Sequence, residues 1–121
     1  DPSYIARSLS PATARKIARR GGAVGLWTVR VNRDPAYPVH NATTYADEIV
    51  RMCELVGPNH VSFGTDMEGA GPGAILSNYV DLRDVADKLM QRGLSEAELQ
   101  NVFIGNYARI VKAAMNGASK T

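Results

Sequence analysis

The spacing of hydrophobic positions changes several times along this chain, and each change marks an element. Ala14, Ile17 and Ala18 recur at helical spacing after Leu9-Ser10-Pro11. Ser10 suits an N-cap, and Pro11 suits the first helical position, where its missing N–H costs nothing. The pattern predicts a helix to about Arg20, ended by Gly21-Gly22. Ala23 to Val29 is then a near-continuous apolar run of strand length, as in a strand covered on both faces of a parallel sheet. Arg30 to Ala42 is polar and aperiodic and holds Pro35 and Pro38, and its length makes it a candidate functional loop.

Tyr45, Ile49, Met52 and Val56 mark one face of a second helix. Thr44 and Asp47 resemble a capping box at its start, with Asp replacing the usual Glu or Gln, and Gly57-Pro58 stops it. A second strand is predicted over His60 to Thr65, followed by a long glycine-rich loop from Met67 to Asn78. A helix from about Asp81 to Arg92 turns Leu82, Val85, Ala86 and Leu89 inward and ends at Gly93. Ser95-Glu96-Ala97-Glu98 opens a short helix through Ile104. Gly105-Asn106 punctuates the chain before a last helix with Tyr107, Ile110, Val111 and Ala114 on one face. The tail, residues 116–121, is small and polar and is expected to fray.

Long loops after strands and short, glycine-containing turns before them are the habit of (β/α) barrels, whose active-site loops follow the strands. A barrel needs eight strands and roughly 200 residues or more. Two apolar parallel strands alone would leave open edges exposed to aggregation. The expected fold class is therefore α/β, namely C-terminal strand–helix units of a (β/α)8 TIM barrel, incomplete on their own. The remaining strands would come from upstream sequence or a companion chain.

The chain has 121 residues, 45% hydrophobic and 21% charged, which is ordinary for one soluble domain with a modest core. Its net charge of +2 is too small to argue for nucleic acid, and no nucleic-acid partner is expected. The basic cluster Arg15, Lys16, Arg19 and Arg20 reads as a solvated helix face rather than a phosphate site. A single cysteine, Cys53, excludes an internal disulfide and fits a reducing compartment. It reads as a buried structural thiol, because no histidine lies near it in sequence. No apolar run reaches the ~18 residues of a membrane span, and no signal peptide is visible. These features favour the cytoplasm but leave the location open, since the true N-terminus is not seen. The chain begins with Asp1 rather than methionine, the mark of processing or of a piece of something longer.

Chemistry concentrates in His60-Val61-Ser62-Phe63-Gly64-Thr65-Asp66-Met67-Glu68-Gly69. A carboxylate just past the C-terminal end of a strand sits where catalysis happens in an α/β protein, which singles out Asp66. The plainer reading is an aspartate that caps the next turn.

Three motifs carry a resemblance to the zinc dipeptidases of the membrane-dipeptidase type, peptidase family M19, among the amidohydrolase-like TIM barrels. The segment Ala18 to Leu26 is similar to the family's helix-Gly-Gly-strand entry. His60 to Gly69 resembles its last barrel strand. Leu94 to Glu98 with Gly105-Asn106-Tyr107-Ala108-Arg109-Ile110 resembles its closing helices. The likeness extends from about Arg7 onward and implies that the chain supplies the last two barrel strands.

By this resemblance Asp66 matches the acid after the eighth strand, beside two zinc ions, where it handles the proton of the metal-bound water during dipeptide hydrolysis. Arg7 matches an arginine that binds the substrate, and His40 lies in a loop on the catalytic side, within reach of a substrate. Gly64, Gly69 and Asn106 take structural roles. Two departures stand out, namely Glu68 in place of the motif's second Asp, and Ile104 where many relatives have a second glycine.

The family's zinc ligands are a His-any-Asp pair, a bridging glutamate and two later histidines. None of these is in this chain, and His60 lies at the wrong end of its strand. The partners implied are the remainder of the barrel and a dipeptide substrate, with a homodimer left open. The alternatives are a catalytically silent binding or assembly module derived from the family, or another TIM-barrel metal hydrolase of the amidohydrolase type.

Overall fold

A computed structural model describes residues 9–30, 36–66, 69 and 71–118. Helix α1 (Pro11–Arg19) starts at Ser10, whose Oγ accepts the Thr13 N–H at 3.2 Å. It buries Ala14 and leaves Arg15, Lys16, Arg19 and the following Arg20 exposed, a solvated basic face. Gly21 (φ +79°) lets the chain leave the helix, and the Gly22 N–H bonds back to Ile17 O at 3.0 Å.

Strand β1 (Val24–Trp27) pairs in parallel with β2 (Val61–Gly64), in a register that sets Val24 opposite Val61 and Trp27 opposite Gly64. The ladder is shorter than the apolar run suggests. Val29, past its end, makes an isolated antiparallel bridge with Ala74.

Side chains alternate across a strand. Val24, Leu26, Val61 and Phe63 therefore join the core on the helix-covered face, while Gly25 and Trp27 are exposed on the other. Among the described residues one face of the pair is covered and the other is open. The second face is made of Gly25, Ser62 and Gly64, which have little side chain to bury, and one 38% exposed tryptophan.

Helix α2 (Ala42–Val56) buries Tyr45, Ala46, Ile49 and Met52 against the sheet. Its capping box sits three residues earlier than Thr44 and Asp47 suggest. Asn41 is the N-cap, its Oδ1 accepting the Thr44 N–H at 2.9 Å, and Thr44 Oγ1 in turn accepts the Asn41 N–H at 3.0 Å. Asp47 instead accepts from Arg92 Nε at 2.6 Å, linking α2 to the end of α3 (Tyr79–Gln91).

Helix α3 starts two residues ahead of the expected position. Asn78 Oδ1 accepts from the Val80 and Asp81 N–H groups, which completes a first turn that the apolar pattern does not mark. It packs on α2 and buries Val85 and Leu89.

Helix α4 (Glu96–Gln100) opens with the capping box read from the sequence, Ser95 Oγ accepting from Glu98 N and Glu98 Oε2 from Ser95 N. No break follows. A π-helical turn, Asn101–Gly105, runs directly into α5 (Asn106–Ala118), so Gly105-Asn106 widens a helix rather than ending one. Gly105 suits the wide turn because a Cβ there would lie 2.7 Å from Asn101 Oδ1.

The wide turn places Asn106 inside, fully buried, with Nδ2 donating to Pro58 O at 2.7 Å and Val61 O at 2.8 Å. It also leaves Tyr107 and Val111 exposed, although the sequence pattern groups them with Ile110 and Ala114 on one face. The helix continues through Asn116 and Gly117, into the stretch expected to fray, and residues 119–121 lie outside the described residues.

Candidate functional site

The C-terminal end of the parallel pair is where the chain leaves β1 and β2, and Asp66 lies there. Asp66 follows β2 by two residues and is the one non-glycine with positive φ (+44°) among the described residues. Aspartate tolerates the left-handed region better than most residues, yet such a conformation persists only where neighbours impose it. A bond from Gly69 N–H to Asp66 O at 3.0 Å closes a tight turn around it. A Cβ on Gly69 would collide with the Asp66 carboxylate, so glycine leaves that carboxylate its room. Asp66 is exposed, and among the described residues no hydrogen bond or ion pair occupies its carboxylate.

Beneath the turn, Gly64 packs closely on β1, where a Cβ would come within 3.3 Å of Leu26 O. Leu26 O accepts the Tyr45 hydroxyl at 2.8 Å, and the Tyr45 ring lies 5.6 Å from that of Phe63. Burial raises the Tyr45 pKa far above the ordinary phenol range, with Tyr37 adding to the rise, so Tyr45 is a neutral donor that fixes the strand end. Thr28, 1% exposed, donates from Oγ1 to Thr65 O at 2.6 Å.

The loop returns to the same segment. Ile75 N–H bonds to Thr28 O at 3.0 Å and Arg30 N–H to Gly73 O at 2.7 Å. Sequence reasoning missed Thr28 and the Tyr45 hydroxyl. The signal for Thr28 is its place as the single polar residue within Ala23–Val29.

The other candidates are spread out. His40 is exposed just ahead of α2, with its backbone N–H bonded to Thr44 Oγ1 at 2.8 Å, and among the described residues no hydrogen bond or ion pair joins it to Asp66. Arg7 and Glu68 lie outside the described residues. His60 and Asn106 sit at the opposite, N-terminal end of β2. There His60 Nδ1 lies 2.8 Å from Gly22 O, and Arg109 bonds both Asn106 Oδ1 and Asn59 O. Cys53 is half-buried in α2 and its pKa is pushed up to about 11, first by burial and then by Glu98 and Glu54, the opposite of an activated nucleophile.

Zinc takes three or four protein ligands. Among the described residues no group of three or more His, Cys, Asp or Glu side chains could hold a metal ion, so the residues present do not by themselves fit a zinc centre. No helix among them is long and apolar enough to cross a membrane.

What this end of the sheet offers is an exposed carboxylate in an imposed conformation. Such a group can accept and return a proton at a molecule bound over the strand ends. Over residues 5–121 the chain matches the family described as Membrane dipeptidase (Peptidase family M19), and it belongs to that family.

Proposed function

We propose that the chain supplies the proton-handling carboxylate of a dipeptide hydrolase built on a (β/α)8 barrel, with β1 and β2 as the last two strands. Family membership gives a dipeptidase-type hydrolase. The observation that carries the finer reading is Asp66, exposed and held at φ +44° past the C-terminal end of a parallel strand. In this reading Asp66 takes a proton from the attacking water and passes it to the departing amine. Arg7 binds the substrate through its carboxylate or the tetrahedral oxyanion, and His40 borders the substrate from its loop. The described residues make no zinc site, so the two zinc ions of the proposal would be held by residues beyond them.

The barrel reading is supported by the open sheet face. Parallel sheets occur with both faces covered, and here Gly25 and Trp27 are exposed on one of them. The test is an assay of the complete zinc-supplemented protein on L,L- and L,D-dipeptides, with Asp66→Asn alongside. Dipeptide turnover that falls by two or more orders of magnitude in the variant, about 3 kcal/mol or more of barrier, is expected. Unchanged turnover in Asp66→Asn removes Asp66 from the chemistry. Absence of any dipeptide turnover favours the silent module, and turnover of other amides a different amidohydrolase-type enzyme.

A further inference from the structure

We infer that Thr28 is a positioning residue for Asp66. Its side chain sets the backbone turn that aims the carboxylate. The inference rests on the proposed role of Asp66.

The β1–β2 ladder ends at Trp27 and Gly64, so Thr28 and Thr65 are the next residues on each strand. At that point a side-chain bond takes over from the ladder, Thr28 Oγ1 donating to Thr65 O at 2.6 Å. The peptide that carries Thr65 O is the one joining Thr65 to Asp66. Holding its oxygen fixes the plane about which Asp66 φ is measured, and Asp66 then takes its left-handed conformation at φ +44°.

A buried hydroxyl must find a partner, and Thr28 at 1% exposure has Thr65 O. The same residue holds the far end of the loop through the bond from Ile75 N–H to its carbonyl at 3.0 Å. The Val29–Ala74 bridge and the bond from Arg30 N–H to Gly73 O extend this attachment. The loop that carries Asp66 is thus fixed at both ends to one short segment after β1. Small displacements of a reacting group cost large factors in rate, which makes such a clamp consequential.

The test compares Thr28→Val, which keeps the shape and loses the donor, with Thr28→Ser, which keeps the donor, in the complete protein. Thr28→Ala replaces Thr28→Val if the latter does not fold. In Thr28→Val we expect kcat to fall by about tenfold or more with KM within about twofold, and in Thr28→Ser to stay within about threefold. Hydrogen exchange at the Gly69 amide, which bonds to Asp66 O, is expected to speed up by about tenfold in Thr28→Val and to stay unchanged in Thr28→Ser.

Wild-type kcat in Thr28→Val beside an inactive Asp66→Asn overturns the inference and leaves the proposed function standing. A Ser variant as impaired as the Val variant overturns it in favour of simple packing. If Asp66→Asn is fully active, the proposed function fails, and Gly69 exchange alone decides whether Thr28 sets the turn.

Discussion

Asn106 Nδ2 donates to Val61 O at 2.8 Å, so the start of α5 is joined to the first residue of β2 across 45 positions of sequence. The same amide reaches Pro58 O, and Arg109 holds its oxygen. Asn106→Ala leaves two carbonyls without their donor in a fully buried place. We expect a loss of about 2–3 kcal/mol in urea unfolding, and Asn106→Asp, which offers a charge and no donor, to cost at least as much. A loss below about 0.5 kcal/mol would show that water replaces the amide.

Asp66→Gly separates stability from activity. An exposed Asp→Gly change ordinarily costs stability through the unfolded state, but φ +44° is a conformation glycine adopts freely. The variant should be as stable as the parent or up to about 1 kcal/mol more so, while dipeptide turnover is lost. Asp66→Val, with a branched Cβ at positive φ, should lose about 1–2 kcal/mol. Thermal melts of the two variants, read beside turnover, check both.

Gly69→Ala probes the room left for the carboxylate. The added methyl collides with the Asp66 side chain, whose atoms must move. Turnover is expected to fall by about tenfold or more with little change in melting temperature. An unaffected kcat would show that the carboxylate works from another rotamer.

The pH dependence of stability follows from Cys53 and Tyr45. Both folded pKa values lie above their unfolded ones, Cys53 at about 11 against 9.0 and Tyr45 raised from 10.0, because burial disfavours the charged forms. Their contribution is complete below the unfolded values. It is lost for Cys53 as pH rises from about 9 to about 11, and for Tyr45 above about 10. Urea midpoints measured from pH 7 to 11 should be flat at first and then decline, and Cys53→Ala should make the fall between pH 9 and 10 shallower.

Self-association is expected of this chain in isolation. The open sheet face carries Trp27, and α5 exposes Tyr107 (66%), Val111 and Met115 (67%), large apolar side chains open to water. Sedimentation should show oligomers, and Trp27 fluorescence should be shielded from iodide as concentration rises. A monodisperse monomer with a cooperative melt would count against the open-face argument.

Much of the fold is legible because its signals are local. Ser10, Ser95 and the glycines after the helices mark the ends of elements through hydrogen bonds made within a few residues. The parallel pairing follows from two apolar runs separated by a helix. Two of the misreadings involve partners distant in sequence. Asp47 is drawn away from a cap by Arg92, and Asn106 is held inside the helix by Pro58 O of the turn before β2 and Val61 O at the strand's start.

At the site, Asp66 stands out by its place after a strand. The hold of Thr28 on Thr65 spans 37 positions, and no spacing rule reaches that far. Family membership, by contrast, rests on motifs spread along nearly the whole chain, which a single sequence displays.

The π-helical turn at Asn101–Gly105 gives this part of the protein an unusual tolerance profile. One residue of an α-helix corresponds to about 100° of rotation. A residue inserted into a regular α-helix would turn everything after it by about that angle, whereas a π-helical turn takes up one extra residue and lets the following helix keep its facing. Deleting one residue from the wide turn should therefore leave a regular helix with Asn106 still directed at Val61, while a deletion inside α5 itself would turn the positions beyond it out of place. The segment is thus a slack point in the closing helix, where the chain should tolerate the loss of one residue better than anywhere else in α5.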